Sequence, residues 1–270
     1  MIDASPINRH RRRVESLRRV RSWAPVFGGV ELRRLEGFDL AVVDAVAGVD
    51  GVTSTSPAEV RELQERGVLV LAYLSLGTVE EWRHYASSVP SEWTLGPVPG
   101  WEGELYVDAR RRGWRQLILA EARSLGRAGF DGLLLDNLDV GEEFPETQAG
   151  LVELVQGLRA EALALLLVAQ NGLAVAESLP IDAIAHEDVF WRFEHGHGYR
   201  RSPREETAVL LAGLRALRDR GLPVFTLDYT EPGSPGAHEA IARSLAEGFC
   251  PTVSVLELDR LPHAIPGVVK

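Results

Sequence analysis

Short apolar runs alternate with longer amphipathic stretches along most of the chain. The apolar runs have the length of strands and end in polar residues, as the three leucines at 133–135 do at Asp136 and Asn137. Continuous apolar runs of this kind are typical of parallel strands that are buried on both faces. The amphipathic stretches have helical periodicity and end at glycines, as residues 114–128 do at Gly129. The pattern therefore predicts strands and helices in alternation.

Eight strands and five helices follow from this pattern. The strands are predicted at residues 38–44, 68–77, 104–108, 133–136, 165–172, 183–187, 224–229 and 252–257. The helices are predicted at 57–66, 114–128, 147–163, 205–220 and 238–246, and Pro25 with two glycines predicts irregular structure at 23–29. This alternation favours an α/β fold, a (β/α)8 TIM barrel that forms a single domain at residues 23–270. An open doubly wound sheet is the alternative, although no glycine-rich phosphate loop follows the first strand.

The charge of the chain is uneven. The formal net charge is -10, yet the first 22 residues contain seven arginines and only two carboxylates, Asp3 and Glu15. Residues 1–22 are therefore predicted to be a basic N-terminal arm, either a solvated helix or a frayed terminus, with binding to an acidic surface as the alternative. The acidic remainder argues against general nucleic-acid binding and suits a neutral or cationic ligand.

The sequence gives no support to several other classes of protein. No apolar run approaches the roughly 18 residues that suggest a membrane span. The single cysteine, Cys250, cannot form an internal disulfide. No signal peptide is visible, so we expect a cytoplasmic protein, or a secreted one if a leader has been removed. His186, His195 and His197 lack the spacing of a zinc motif, so neither a metal nor a cofactor is predicted.

Polar residues end most of the predicted strands. In a barrel the carboxyl ends of all strands meet at one face, which we call the mouth. The rule gathers one set of side chains there: Asp44, Tyr73, Asp108, Asp136, Asn137, Asn171, Glu187, Asp228 and Glu257. Carboxylates crowded in one cleft raise one another's pKa values, so a protonated acid and an ionised partner can coexist. Because the chain has no nucleophilic serine or cysteine motif, this mouth favours carbohydrate chemistry, in which glycosidases use two carboxyl groups.

The motifs at these strand ends resemble those of one known family. They are Ala72-Tyr73-Leu74-Ser75-Leu76-Gly77 with Glu80, Trp82 and Arg83; Val107-Asp108 with Trp114; Gly129-Phe130-Asp131-Gly132 with Leu135-Asp136-Asn137-Leu138-Asp139; Gln170-Asn171-Gly172; Glu187; and Asp228-Tyr229. In this order they resemble glycoside hydrolase family 114, the endo-α-1,4-polygalactosaminidase-like barrels. The resemblance implies a TIM barrel that hydrolyses α-1,4-linked galactosamine or N-acetylgalactosamine polymers.

The resemblance also implies roles for single residues. The catalytic pair maps to Asp136 on the fourth predicted strand and Glu187 on the sixth. By analogy with α-galactosidase-like barrels, Asp136 is the nucleophile of a retaining mechanism and Glu187 is the acid/base, although the two roles can be exchanged. The predicted substrate-binding residues are Asp44, Tyr73, Trp82, Arg83, Asp108, Asn137, Asp139, Asn171, Asp228 and Tyr229. Asp131 precedes its strand, so we predict that it lies on the opposite face and is structural.

The long segment at 78–103 has two interpretations. It exceeds the usual length of a strand–helix connection, and long connections in compact domains are usually functional. Its three tryptophans either stack on sugar rings or fill a small core of the segment itself. They are Trp82, Trp93 and Trp101.

Alternatives to sugar binding and to catalysis also stay open at this stage. Asp108 and Asp228 are either contacts to the substrate or members of structural ion pairs and caps, and Tyr73 and Asn171 either line the mouth or make buried structural hydrogen bonds. A non-catalytic carbohydrate-binding barrel is possible because fold does not imply activity. The third possibility is a metal-dependent hydrolase or lyase that uses His186 or His197 at the same mouth. The predicted partner of the glycosidase is a carbohydrate, a galactosamine-containing polysaccharide or oligosaccharide.

Overall fold

The structure, a computed structural model, describes residues 5–28, 30–45 and 55–262. The strands in these ranges are β1 (Trp23–Val26), β2 (Leu40–Val43), β3 (Leu69–Ser75), β4 (Thr78–Glu80), β5 (Thr94–Pro97), β6 (Glu104–Val107), β7 (Gly132–Asp136), β8 (Leu166–Gln170), β9 (Ala183–Glu187), β10 (Trp191–Glu194), β11 (Gly198–Arg201), β12 (Val224–Tyr229) and β13 (Cys250–Ser254). The helices are α1 (Pro6–Leu17), α2 (Pro57–Glu65), α3 (Arg112–Ala128), α4 (Val140–Glu143), α5 (Gln148–Glu161), α6 (Leu173–Ala176), α7 (Arg204–Asp219) and α8 (Pro235–Ala246). None of the described helices is long and apolar enough to cross a membrane.

Eight parallel strands form the central sheet of the molecule. Their order is β1-β2-β3-β7-β8-β9-β12-β13, and every neighbouring pair is parallel. The first and last strands approach each other at a seam. There Trp23 Nε1 donates to the Cys250 carbonyl over 3.1 Å, and the Phe27 amide donates to the Leu258 carbonyl over 2.9 Å. The sheet is a nearly closed barrel with helices in alternation, so the predicted (β/α)8 TIM barrel is confirmed.

One barrel strand lies where the sequence predicted irregular structure. Residues Trp23–Val26 form β1, and all four are buried. Pro25 argues against a central strand because proline has no N–H to donate to a ladder. β1 pairs with β2 on one side and lies at the seam on the other. A strand at a seam tolerates proline because one of its sides needs no continuous ladder, and the prediction for 23–29 was wrong for this reason.

The predicted strand at 104–108 belongs to a different sheet. β6 pairs antiparallel with β4 and β5, and these three strands form a small sheet between β3 and α3. In β6, Glu104 and Val107 are buried and Leu105 is 38% exposed. We call residues 78–107 the insertion. The predicted total of eight barrel strands agrees with the structure, but the strand predicted at 104–108 was wrongly assigned to the barrel. The eighth barrel strand is β1.

The basic arm contains a helix that packs on the barrel. α1 begins after Ser5, whose Oγ accepts a hydrogen bond from the Asn8 amide over 3.4 Å. Leu17 and Val20 are 1% and 5% exposed and join the apolar cluster inside the barrel. The arm is thus helical at Pro6–Leu17, and its apolar end closes the face opposite the mouth.

Alternation along the strands sorts their side chains into two layers. In β7, Leu134 belongs to the cluster inside the barrel, whereas Leu133 and Leu135 belong to the cluster between the barrel and the helices. The three leucines are fully buried on both faces, as predicted. Because successive side chains in a strand point to opposite faces, Asp136 has the inward phase of Leu134.

Three aspartates immediately precede barrel strands at the face opposite the mouth. Asp39 precedes β2, Asp131 precedes β7 and Asp182 precedes β9. Asp131 Oδ2 accepts from the Val70 amide of β3 over 3.0 Å, and Asp182 Oδ2 accepts from the Leu167 amide of β8 over 2.8 Å. Each of these two carboxylates joins its own strand to the neighbouring one, which agrees with the structural role predicted for Asp131.

Candidate active site

Inward-pointing positions of four strands bring polar side chains together at the mouth. Asp136 and Glu187 are the last residues of β7 and β9, two positions beyond side chains of the inner cluster. Tyr73 of β3 and Tyr229 of β12 belong to that cluster and are 8% and 5% exposed. The barrel therefore places both predicted catalytic carboxylates and two predicted substrate-binding tyrosines in one site.

Glu187 accepts hydrogen bonds at both of its carboxylate oxygens. The Tyr229 hydroxyl donates to Oε1, and Asn171 Nδ2 donates to Oε2 over 2.7 Å. The Glu187 amide donates in return to Asn171 Oδ1 over 3.0 Å, so this side chain and its backbone are fixed by the same partner. Burial, and next the charge of Glu187, raise the pKa of Tyr229 well above its usual value, so Tyr229 stays a proton donor at neutral pH.

Asp136 lies close enough to Glu187 for the two charges to interact. Burial raises the pKa of Asp136 well above its usual value, and the charge of Glu187 raises it further. Two hydrogen bonds lower the pKa of Asp136 in part. One comes from the Asn137 amide, 2.8 Å from Oδ1, and the other comes from Tyr73. A carboxyl group with a raised pKa keeps its proton to a higher pH than a free carboxyl group does, as the proton donor of a glycosidase must.

Asp139 adds a third carboxyl group to this site. Burial, and next the charge of Glu187, raise the pKa of Asp139 to about 6. Its contact with substrate stays a prediction. Asp136, Asp139 and Glu187 are three carboxyl groups within electrostatic reach of one another.

Three neighbouring barrel strands are each followed by a residue in the left-handed region. Asn137, Asn171 and Asp188 have φ values of 60°, 56° and 59°. Asn and Asp adopt this conformation more readily than other side chains do, and strained backbone is frequent at functional sites. Asn137 Nδ2 donates to Ser75 Oγ and to Thr78 Oγ1, both over 3.0 Å, and so joins the end of β7 to the start of the insertion.

Arg83 and Asp44 form a buried support beside Tyr73. Arg83 Nη1 donates to Asp44 Oδ1 over 2.6 Å, and Nη2 donates to Glu80 Oε1 over 2.7 Å. The guanidinium carbon lies 5.4 Å from the centroid of the Tyr73 ring. Arg83 is only 4% exposed. These contacts indicate that Arg83 positions Tyr73, and its predicted contact with substrate stays a prediction.

The tryptophans of the long segment separate into two kinds. Trp93 packs its ring against Gly113 at the start of α3, where a Cβ atom would overlap it, and so fills the core of the insertion. Trp82 and Trp101 are 41% and 46% exposed. Sugar stacking therefore stays a prediction for Trp82, and for Trp101, whereas Trp93 has a structural contact.

The side chain of Asp228 points to the opposite face of the sheet from the side chains of Asp136 and Glu187. Its neighbours in sequence, Leu227 and Tyr229, point into the barrel, so Asp228 points outward. It is 1% exposed, and its Oδ1 accepts from the Phe190 and Trp191 amides over 2.6 Å and 2.7 Å. The predicted position of Asp228 in the mouth is corrected: this carboxylate fixes the segment that follows β9.

We expect Asp228 to make the free energy of unfolding fall as pH rises. Burial raises the pKa of Asp228 from 3.8 to about 7 in the folded protein. Between these values the folded protein binds a proton that the unfolded chain has released, so this contribution is complete below about pH 4 and is lost as pH rises through about 7. Urea unfolding should give free energies of unfolding that differ less between pH 5 and pH 8 for Asp228→Asn than for wild type. The amide oxygen of the variant still accepts the two backbone hydrogen bonds. An equal difference in both proteins would contradict the assignment.

Asp108 also has a different position from the one predicted. It follows β6 of the insertion and is not at the end of a barrel strand. Arg110 Nε donates to its Oδ1 over 2.8 Å, and Arg111 Nε lies 3.2 Å from its Oδ2. Burial raises the pKa of Asp108, but the bonds from Arg110 outweigh it and the pKa is lowered. Asp108 is thus the acceptor of a structural arginine pair, which the sequence left open as an alternative.

One polar residue of the site was not singled out from the sequence. Asp188 directly follows Glu187, and burial, then the charge of Glu187, raises its pKa to about 8. Its Oδ1 is buried and has no hydrogen-bond partner among the described residues. Its position next to a strand-end carboxylate was the available signal, but the same signal marks ordinary turns and caps.

The histidines near the site do not form a metal centre with their neighbours. His186 Nδ1 lies 2.7 Å from the Glu187 carbonyl, and burial lowers its pKa. His195 and His197 are exposed at the tip of the β10–β11 hairpin. In the part of the chain that the structure describes, no three His, Cys, Asp or Glu side chains are grouped as a metal site would require.

Comparisons with known proteins agree with the fold. The model of glycoside hydrolase family GH114 matches residues 8–267. An uncharacterized protein of Deinococcus radiodurans is 28% identical over 268 residues, which cover 91% of this chain and 84% of that protein. The glycoside hydrolase domain of PelA from Pseudomonas aeruginosa is 28% identical, with a TM-score of 0.77 over 89% of this chain and 97% of that domain. Ega3 of Aspergillus fumigatus, solved in complex with galactosamine, shares the fold at 15% identity, with a TM-score of 0.73 over 91% and 96% of the two chains.

The family match includes every strand of the barrel and both inward carboxylates. Its limits, residues 8 and 267, lie outside β1 and β13. Paired carboxyl groups at the mouth of a TIM barrel are also what glycoside hydrolysis requires. The chain belongs to glycoside hydrolase family 114.

Proposed function

We propose that this protein is a retaining glycosidase that hydrolyses α-1,4-linked galactosamine or N-acetylgalactosamine polymers. The observation that carries the proposal is the pair of Asp136 and Glu187, the inward ends of β7 and β9, which lie close enough for the charge of Glu187 to raise the pKa of Asp136. A glycosidase needs one carboxyl group that gives a proton to the leaving oxygen and a second that attacks the anomeric carbon or activates water. The family supports this class of reaction, and the galactosamine bound to Ega3 supports this class of substrate.

In the proposed mechanism Asp136 is the nucleophile and Glu187 is the acid/base. Asp136 attacks the anomeric carbon while Glu187 gives its proton to the leaving oxygen; Glu187 then removes a proton from the water that releases the sugar from Asp136. The exchanged assignment is favoured by one observation, because the raised pKa of Asp136 makes it the better proton carrier in the free site. Tyr73 and Tyr229 each bind one of the two carboxyl groups and are positioning residues in either case.

The acidity of the mouth supports a cationic polymer as substrate. Asp139 and the catalytic pair place three carboxyl groups within electrostatic reach of one another. An ammonium group of galactosamine would be attracted to such a cleft, whereas a neutral N-acetyl group would not. We therefore expect partly or fully deacetylated chains to be the better substrates. The exposed ring of Trp82 is assigned to sugar stacking at the rim of the same cleft.

The direct test is turnover of defined α-1,4-linked galactosamine and N-acetylgalactosamine oligomers by the wild-type protein. Mass spectrometry should show shorter oligomers, and proton NMR during the first turnovers should show products with the anomeric configuration of the substrate. Initial products of inverted configuration would contradict the retaining mechanism. Binding of oligomers without any cleavage would contradict the enzyme and indicate a non-catalytic barrel. Activity that disappears with a chelator and returns with a divalent metal would favour a metal-dependent hydrolase.

A further inference from the structure

Two excursions of the chain leave the barrel at the mouth. The first is the insertion, residues 78–107, which follows β3. The second is the hairpin formed by β10 and β11, residues 191–201, which follows β9. In the sheet order only β7 and β8 lie between β3 and β9. The two excursions therefore stand on either side of the strand that carries Asp136, and the second begins just after Glu187.

The tips of the insertion and the hairpin touch each other. Gly100 of the insertion lies against the imidazole ring of His195, and a Cβ atom on Gly100 would be 2.8 Å from His195 Cδ2. Both residues are exposed on their outer sides, so the contact is narrow. We call the contact between Gly100 and His195 the bridge. The bridge thus joins an excursion from the end of β3 to one from the end of β9, the two strands on either side of β7 and β8.

The base of the hairpin is fixed to the barrel. The Phe190 and Trp191 amides both donate to the buried Asp228 carboxylate, over 2.6 Å and 2.7 Å. At the other end of the hairpin, Ser202 Oγ donates to the Asp188 carbonyl over 2.6 Å. These bonds position the tip of the hairpin over the mouth and make independent motion of its base costly.

The base of the insertion is fixed as well. Thr78 Oγ1 donates to Glu104 Oε1 over 2.6 Å inside the small sheet. The Val107 amide donates to the Gly77 carbonyl over 2.8 Å, and Trp114 Nε1 donates to the Leu76 carbonyl over 2.9 Å. Both excursions are therefore anchored next to the catalytic pair, and motion at the bridge would be confined to their tips.

Both tips turn at glycines. Gly100 and Gly103 in the insertion have φ values of 84° and 79°, and Gly196 and Gly198 in the hairpin have values of 78° and 75°. Glycine populates this region without steric cost and so permits these tight turns. Within the described ranges no hydrogen bond joins the two tips, so opening the bridge breaks no hydrogen bond between them.

We infer that the bridge is a gate that decides which glycan segments reach Asp136 and Glu187. The inference rests on the proposed function. A short oligosaccharide enters by its end, beside the closed bridge. An internal segment of a long polymer has no end to thread, so it reaches the catalytic pair only when Gly100 and His195 separate. The two residues are therefore specificity-determining for cleavage within long chains, and Trp101, exposed beside Gly100, is placed to stack on a sugar that passes the gate.

A covalent bridge tests the gate. The double variant Gly100→Cys with His195→Cys is joined by a short bismaleimide; the native Cys250 thiol is half-buried and burial raises its pKa to about 12, so it does not compete at neutral pH. We expect the joined protein to lose cleavage of long polymer by about tenfold or more and to keep cleavage of short oligomers within about twofold, as for other closing loops. The same double variant without the reagent should cleave both. Retained polymer cleavage in the joined protein, or equal loss with both substrates, would overturn the gate.

Removal of the His195 imidazole ring should change the preference between long polymer and short oligomers in the opposite direction. His195→Ala should raise the rate on long polymer relative to short oligomers, whereas His84→Ala, a histidine with 49% side-chain exposure outside the bridge, should leave this ratio unchanged. Amide hydrogen exchange at 98–103 and 194–198 should be faster in His195→Ala than in wild type, and unchanged exchange would overturn the bridge without reference to activity. A wild-type protein that cleaves no oligomer and no polymer refutes the proposed function instead.

Discussion

The Asp136→Asn variant should turn over galactosamine oligomers more slowly than wild type by on the order of 10⁴-fold or more, because a carboxamide does not attack the anomeric carbon. Glu187→Gln should be slower by about 10²–10⁴-fold, because the amide cannot transfer a proton to the leaving oxygen. Both substitutions preserve the size of the side chain and an oxygen that accepts the Asn137 amide or the Tyr229 hydroxyl. The loss should therefore appear in kcat, with a folded protein by circular dichroism.

A substrate with a good leaving group distinguishes the two assignments of catalytic roles to Asp136 and Glu187. An aryl glycoside with a good leaving group needs no proton, so the acid/base variant should form a glycosyl-enzyme that accumulates and is visible by intact-protein mass spectrometry; azide should restore its turnover. This behaviour is expected of Glu187→Gln, and its appearance in Asp136→Asn would exchange the roles. Glu143→Gln, a substitution of an exposed carboxylate on α4, is the matched control and should keep wild-type kcat. Wild-type activity in either variant of the pair would contradict the proposed site.

Asp131→Ala should lower the free energy of unfolding by about 3 kcal/mol, the loss expected when one member of a buried ion pair is removed. Asp131 accepts from Arg13 Nε over 3.0 Å, and its Oδ2 accepts from Gln64 Nε2 and from the Val70 amide, each over 3.0 Å. The substitution leaves the Arg13 guanidinium and a buried strand amide without this acceptor. Urea unfolding should show a lower midpoint with an unchanged m value, and kcat at 25 °C should be unchanged because the site lies at the other end of the barrel.

An exposed ion pair provides the control for this prediction. Asp219 lies 2.7 Å from Arg218 Nη2 and its side chain is 66% exposed, so Asp219→Ala should cost less than about 1 kcal/mol. Equal effects of the two substitutions would show that Asp131 contributes only as a surface charge. A double substitution of Asp131 and Arg13 should cost less than the two single substitutions together, because the unpaired guanidinium is then absent.

The places of Asp136 and Glu187 at the mouth could be predicted from the sequence because they depend on local rules. An apolar run that ends in a carboxylate marks the end of a buried strand, and the barrel rule places all such ends at one mouth. The alternation of side chains in β7 then gives Asp136 the same inward direction as Leu134, and the same rule applies to Glu187 in β9. The rule gathered nine side chains, however, and only the resemblance to glycoside hydrolase family 114 singled out these two as the proposed catalytic pair.

Asp108 and Asp228 show where those local rules stop. An apolar run with a terminal aspartate occurs equally in the small antiparallel sheet of the insertion, so the sequence at 104–108 could not be told from a barrel strand. Asp228 and Tyr229 are adjacent in β12, so their side chains point to opposite faces and only Tyr229 enters the barrel. A shift of one residue exchanges the two faces of a strand, and only the register of the folded sheet fixes that choice.

The sequence by itself determined seven of the eight barrel strands, the amphipathic helices and the carboxylates at the strand ends, since each depends on residues close in the chain. The tertiary structure decided which strands close the barrel, because Trp23–Val26 becomes a strand only by pairing with Leu40–Val43 and by burial at the seam. It also decided the hydrogen bonds of Glu187 with Asn171 and Tyr229 and the contact of Gly100 with His195. These contacts join residues far apart in sequence, so no periodicity in the chain could encode them, and packing of the whole barrel is their physical cause.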